Sequence, residues 1–356
     1  MDGFIASALG NSPAVAAKPD EEFSNDKIRI SIAGVGGGGC NTVHRIAGMG
    51  IKSADTIAIN TDRVHLNTVN AGRRILIGSS ITRGLGAGGY PEVARNCAQA
   101  SKKELAELVD GTQLLFLCAG MGGGTGTGAA PVVAEVARAQ GAMVVSVVTY
   151  PFALERARTM KADWGIQELA KHSDTVIVVD NNRLASFVPN LPINQAFQLA
   201  DEITARAVKG IADTIMLPSL VNIDFADLRA ILGNAGVAMI SVGEGKGSDR
   251  VERVVRSTLE HPLLDVDYEG AKGALIHISG SPGLTLGEAT DIGEKLTNEL
   301  DPNANVIWGS RLSDEYPGDT VVVTSILTGI KSPYAARCAA AEQKPQYVMD
   351  VEPIRA

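Results

Sequence analysis

The residues with the clearest chemical purpose are Gly120-Met121-Gly122-Gly123-Gly124-Thr125-Gly126-Thr127-Gly128. They follow an apolar run, residues 113–119, and lead into a helix expected over residues 129–138. A buried strand, a glycine turn and a helix start form a cradle for phosphate. Backbone N–H groups face the ligand, glycine permits close approach, and the helix N-terminus favours negative charge. The hydroxyls of Thr125 and Thr127 are expected to add donors. A second turn, Gly34-Val35-Gly36-Gly37-Gly38-Gly39-Cys40-Asn41, lies between apolar residues 28–33 and a helix expected over 42–48. A third, residues 82–89, is expected to close over the others, with Arg83 as its only cation. Together these turns could wrap a polyphosphate with little cationic help. The P-loop pattern is absent, because the one Gly-Lys pair, Gly245-Lys246, is followed by Gly247. Farther along, Asp224 and Asp227 stand three apart at the start of a helix expected over 226–232, on one face. Such a pair could orient a water toward a phosphate or help hold a cation, and phosphoryl transfer needs mainly positioning and charge neutralisation. Asp224 equally suits a helix N-cap.

These residues need a scaffold. Strands are expected over 28–33, 55–60, 74–77, 113–119, 142–149 and 174–180, with helices between most of them. That alternation gives a parallel sheet covered on both faces, and ligands bind such sheets beyond the carboxyl ends of the strands. Both long glycine turns fall on that edge. A long amphipathic helix over 192–216 carries Leu199, Ile203, Val208, Ile211 and Ile215 at helical spacing, and Pro218 ends it. Strands follow near 236–243, 273–279, 304–309 and 319–326. The expected fold class is α/β: a parallel nucleotide-binding sheet with helices on both faces, a long central helix and a second α+β domain. The expected divisions are an arm (1–26), a nucleotide-binding domain (27–190), the central helix (191–218), the second domain (219–331) and a tail (332–356).

Composition narrows the function. A net charge of −8 over 356 residues opposes nucleic-acid binding, which needs a basic face. Cys40, Cys97, Cys118 and Cys338 have no paired spacing, which fits a reducing compartment and gives no disulfide or metal signal. The longest uncharged run, residues 111–134, is too rich in glycine and threonine to face lipid, so no membrane insertion is expected. Residues 1–26 lack a basic start and a cleavage site, and read as a disordered arm rather than a secretory signal. In the tail, residues 346–355 mix apolar and charged side chains, as a short peptide that folds on a partner would.

The chain resembles the tubulin/FtsZ superfamily through G-M-G-G-G-T-G-T-G at 120–128. The companion strings are similar to the FtsZ branch: G-V-G-G-G-G-C-N at 34–41, T-R-G-L-G-A-G-G at 82–89, N-I-D-F-A-D at 222–227, P-L-L-D-V-D at 262–267 and G-A-L-I-H-I at 273–278. The resemblance runs from about residue 28 to 332. It implies a GTPase that binds GTP and GDP, with Mg²⁺ expected beside the nucleotide and no dedicated metal cage. It implies phosphate contacts from Gly37, Gly38, Gly39, Cys40 and Asn41 and from Gly123, Gly124, Thr125 and Gly126. Glu155 matches the ribose ligand. Arg158 is its implied companion on phosphate or sugar, although the spacing from Glu155 is one residue shorter than in the bacterial pattern. Asn181, Phe197 and Asp201 would hold the base, with Phe197 stacking and Asp201 accepting from guanine; without the resemblance Phe197 reads as core and Asp201 as a solvated helix charge. Asn222, Asp224 and Asp227 would be catalytic in trans. The partner is a second copy of the chain, stacked head-to-tail into filaments, with a membrane tether recruited by the tail. The implied place is a cytoplasmic mid-cell division ring.

Two other readings remain open at this level. One is an NAD-dependent oxidoreductase, since residues 34–39 satisfy G-x-G-x-x-G and Asp62 follows the next strand as a ribose ligand. The other is a nucleotide-binding regulator that has lost turnover, which the intact Asn222, Asp224 and Asp227 set opposes.

Overall fold

The computed structural model of the chain describes residues 28–183, 189–217, 219–233, 235–260, 268–313, 316, 318–332 and 334. The expected arm, residues 262–267, Pro218, Cys338 and nearly all of the tail lie outside the described residues. The first strands are mostly short apolar runs: β1 (Ile30–Val35), β2 (Asp55–Asn60), β3 (Arg73–Leu76), β4 (Leu114–Gly120), β5 (Met143–Tyr150) and β6 (Thr175–Asp180). Their alternation supplies two faces at once. Ala33, Leu115, Leu117 and Val144 point to one buried layer, while Ile32, Leu114, Phe116 and Val145 point to the other. Four more strands follow: β7 (Gly236–Lys246), β8 (Gly273–Gly280), β9 (Asn305–Leu312) and β10 (Thr320–Thr328).

All ten strands form one sheet, in the order β3-β2-β1-β4-β5-β6-β7-β10-β8-β9. The first seven are parallel, and within the sheet β10 alone runs the opposite way. The join between the two halves is short, since β6 and β7 pair only at Thr175–Gly236, Val176–Val237 and Ile177–Ala238.

The helices between the first strands are α1 (Gly36–Gly48), α2 (Arg63–Thr68), α3 (Ser79–Thr82), α4 (Pro91–Ala100), α5 (Lys102–Val109), α6 (Thr125–Ala139) and α7 (Ala157–Ala170). Helices α4 to α7 cover one face. Helix α1 and the 24-residue helix α8 (Ile193–Met216) cover the other, joined by α9 (Phe225–Leu232). Helix α8 also reaches the second half, where Gly210 packs on Thr324 of β10. The far face of β7, β10 and β8 is covered by α10 (Arg250–Leu259) and α11 (Leu286–Thr297).

Two helix starts differ from the expectation, at Gly36 rather than 42 and at Thr125 rather than 129. Glycine disfavours helix interiors, so propensity conceals these turns. Packing overrides it here: a Cβ on Gly39 would fall 2.0 Å from the Cys118 carbonyl oxygen, so only glycine lets α1 lie this close to β4. Strand β7 runs three residues past its expected end, with Gly245 pressed under Arg250 of α10.

Candidate nucleotide site

The three glycine turns meet at the carboxyl edge of β1, β4 and β2. Gly36 has φ +74°, and a Cβ on it would lie 2.6 Å from the Gly126 nitrogen, so the first two turns touch backbone to backbone. Gly38 sits against Gly120 in the same way. The third turn closes on the second, since a Cβ on Gly124 would meet Ala87 and the Tyr90 nitrogen at 3.0 Å. Thr61 and Thr125 share a hydrogen bond of 2.7 Å between their hydroxyls, and Gly86 N donates to the Thr61 carbonyl at 3.1 Å. Gly37, Gly38 and Asn41 are exposed, whereas Gly39 and Cys40 are buried. No atom lies within 4 Å of a Cβ placed on Gly37 or Gly123, so the floor between the turns is open. Burial pushes the Cys40 thiol up to about 12, leaving it a neutral filler whose S–H donates toward Gly34 and Ile59 carbonyls.

One expectation fails here. Thr127 does not face a ligand: it is fully buried, and its hydroxyl accepts from Gly122 N at 2.9 Å. It braces the turn, which carries φ +92° at Gly122, and Thr125 is the threonine left at the surface of the cradle.

Beside the glycine turns lies a carboxylate. Glu155 closes the short 3-10 turn Ala153–Glu155, with Oε1 accepting from Phe152 N at 3.1 Å and Oε2 from Arg158 at 2.5 Å. Arg158 also packs on the glycine turn, its Cβ and carbonyl oxygen lying 2.9 and 2.8 Å from a Cβ placed on Gly122. The shorter spacing therefore still delivers Arg158 to Glu155 and the turn together.

The base-binding candidates converge from two elements. Asn181, at the end of β6, is 7% exposed, and its buried Oδ1 has no hydrogen-bond partner among the described residues. A buried orphan acceptor is costly unless a ligand supplies the donor. Phe197 on α8 is 43% exposed and meets Phe152 edge-on, with ring centroids 5.5 Å apart. One turn along α8, Asp201 is raised to about 6 by burial, against the opposing pull of the Arg45 charge. Phe152 and Arg45 are site residues that sequence reasoning missed; both are ordinary in type, and only the fold brings them to the pocket.

The carboxylate pair lies elsewhere. Asp224 and Asp227 form a capping box at the start of α9: Asp224 Oδ1 accepts from Asp227 N at 2.7 Å, and Asp227 Oδ2 accepts from Asp224 N at 3.2 Å. Asn222 is exposed, and its Oδ1 accepts from Ser219 N at 3.0 Å. The loop is pinned to the edge strand, with Leu220 N and Val221 N both donating to the Ser310 carbonyl of β9. Five strands lie between β4 and β9, which at ~4.8 Å per step separates them by roughly 29 Å across the sheet. The fold therefore does not bring the loop to the glycine turns of its own chain. Among the described residues, no group of three His, Cys, Asp or Glu side chains is placed to hold a metal ion, and no helix is long and apolar enough to cross a membrane.

Residues 29–189 match the family model for the tubulin/FtsZ family GTPase domain, and residues 236–331 match the FtsZ family C-terminal domain. Cell division protein FtsZ 2 of Methanocaldococcus jannaschii is 60% identical over 332 residues, covering 92% of this chain and 86% of that protein. Cell division protein FtsZ 2 of Halobacterium salinarum is 48% identical over 335 residues, covering 93% and 85%. Among solved structures, an empty FtsZ dimer from M. jannaschii superposes with a TM-score of 0.82 at 41% identity over 92% of each chain. The dinucleotide reading is overturned by these matches, and Asp62, its ribose ligand, instead caps α2 by accepting from His65 N.

Proposed function

The chain belongs to the tubulin/FtsZ family and is a cell-division GTPase of the cytoskeletal type, and we propose that its catalytic site is completed between two copies stacked head-to-tail. GTP and GDP are its nucleotides. In this reading the phosphates lie on Gly37, Gly38, Gly39, Cys40 and Asn41 and on Gly123, Gly124, Thr125 and Gly126. Glu155 accepts from the ribose hydroxyls, with Arg158 beside it. Phe197 stacks on the base, Asp201 accepts from guanine N–H groups, and Asn181 Oδ1 takes the amine. Adenine offers no such donor pair, and a pocket built to satisfy N–H groups rejects an analogue without them by roughly 10⁴-fold.

Hydrolysis uses the loop of the neighbouring copy. Asp224 and Asp227, with Asn222, orient a water toward the γ-phosphorus. The water oxygen forms the new P–O bond, the bond to the β-phosphate oxygen breaks, and GDP and phosphate leave. Mg²⁺ would be held mainly through the phosphates, since no group of three His, Cys, Asp or Glu side chains among the described residues is placed to hold a metal ion. When bound, it neutralises charge on the phosphate oxygens. The observation that supports this most is the separation of two well-formed half-sites at distant strands of one sheet. A contact that joins one edge to the other and does not close produces a filament. The relative whose solved structure is titled an FtsZ dimer self-associates, which favours the same behaviour here. The division ring beneath the membrane is the proposed place of action, with the tail recruiting a tether.

Mixing tests the reading. Asp227→Ala keeps its own nucleotide pocket, and Asp201→Ala keeps its own loop. Each variant alone should turn over poorly, and a mixture should regain a substantial fraction of the wild-type rate. A mixture no faster than the sum of its parts would place both half-sites in one chain.

A further inference from the structure

Tyr334, the last described residue, has returned to the nucleotide half of the molecule. The route is short. Thr328 of β10 pairs with Ala238 of β7, which pairs with Ile177 of β6. Six further residues, able to span about 20 Å, bring the chain up beside the carboxyl end of β6. There Tyr334 is 8% exposed, and its ring lies 5.1 Å from that of Tyr150 at the end of β5. Its hydroxyl donates to Asp180 Oδ2 at 2.8 Å.

The hydrogen bonds do not stop there. Asp180 Oδ1 accepts from both Asn182 N, at 2.8 Å, and Asn182 Nδ2, at 2.7 Å. Asn182 Oδ1 accepts from Ala153 N at 2.7 Å, and Asn182 Nδ2 also donates to the Pro151 carbonyl at 3.3 Å. Asn182 thus grips both sides of Phe152, whose own N–H holds Glu155 Oε1. The path runs Tyr334, Asp180, Asn182, residues 151–153, Glu155. Each link is a direct contact, and three of them end on a carboxylate, which makes them stronger than neutral ones.

We propose that Tyr334 is a positioning residue for the ribose end of the nucleotide pocket. It ties the last described turn of the chain to Glu155, so that nucleotide affinity responds to whether Tyr334 is seated on Asp180. The proposal rests on the reading of Glu155 as the ribose ligand. Withdrawal of Tyr334 frees Asp180 and Asn182 to turn away. The turn that aims Glu155 then loosens.

Equilibrium binding of GTP and of 2′,3′-dideoxy-GTP to the full chain tests this, because only GTP offers the ribose hydroxyls. Tyr334→Phe keeps the ring against Tyr150 and deletes one hydroxyl. It should weaken GTP binding about fivefold to tenfold, a part of what loss of a hydrogen bond to a charged group costs because Tyr334 acts through the turn, and leave dideoxy-GTP nearly unchanged. Asn182→Ala should act the same way, and the double variant should be no worse than either single one. Equal weakening of both nucleotides, or of neither, would overturn the proposal by reducing Tyr334 to an anchor. Wild-type protein that binds both nucleotides alike would instead remove the ribose role of Glu155, on which the proposal stands.

Discussion

At the scale of single residues, Asp201 makes the most exacting demand. Guanine presents two N–H groups, and only the ionised carboxylate accepts both without a proton of its own. In the empty protein burial raises Asp201 from the usual 3.8 to about 6. A group raised on folding favours the folded state fully below its ordinary value and loses that contribution as pH rises through the raised one. A charge on Asp201 is therefore held at a cost at neutral pH, and guanine bound as proposed would relieve it. GTP binding should weaken as pH falls through about 6, and binding near that pH should release a proton. Calorimetry in buffers of different ionisation enthalpy measures the release; a heat that does not vary with buffer would rule it out. The facing of Phe197 and Asp201 was legible from their four-residue spacing. The burial of Asp201 and the nearby Arg45 charge were not, because α1 and α8 meet only in the folded chain.

Elements carry two further tests. Asp224 and Asp227 cap α9 as well as standing in the proposed catalytic loop, so loss of turnover alone is ambiguous. Asp224→Asn keeps a capping side chain and removes a charge, so it should unfold within a few degrees of wild type and hydrolyse GTP far more slowly. Asp224→Ala should lose the cap too, at about 1 kcal/mol. Thermal melts beside phosphate-release assays separate the two effects; full turnover by Asp224→Asn would remove the carboxylate from the chemistry. In the second half, Arg250 is nearly buried and grips Glu288 through two bonds, of 2.7 and 2.8 Å. Glu288 also caps α11 at Thr285. The hydrogen bonds from Arg250 hold its carboxyl down near 2. Its contribution is present above the ordinary carboxylate value of 4.5 and is lost as pH falls through about 2. Glu288→Ala leaves the buried Arg250 with only the Gly283 carbonyl and a longer contact to Asp319, and should cost about 2 kcal/mol, read as an earlier denaturant midpoint. All ten strands were legible from their mainly apolar runs, within three residues at each end. The starts of α1 and α6 were not, because glycine signals a turn in sequence and serves here as the first turn of a helix under tight packing.

At the scale of the whole molecule, one ten-stranded sheet sets the pocket on β1 and β4 and the carboxylate loop on β9. Motifs name both half-sites in sequence, but strand order is what separates them, and spacing along the chain does not reveal strand order. A subunit that works as proposed binds GTP alone and hydrolyses it only beside a neighbour. The most direct measurement is phosphate release per subunit across a dilution series spanning the onset of assembly, with saturating GTP and light scattering recorded in parallel. Turnover per subunit should be near zero at low concentration, rise steeply where scattering begins, and then level off. A rate per subunit that stays flat through dilution, while scattering disappears, would contradict a site shared between copies.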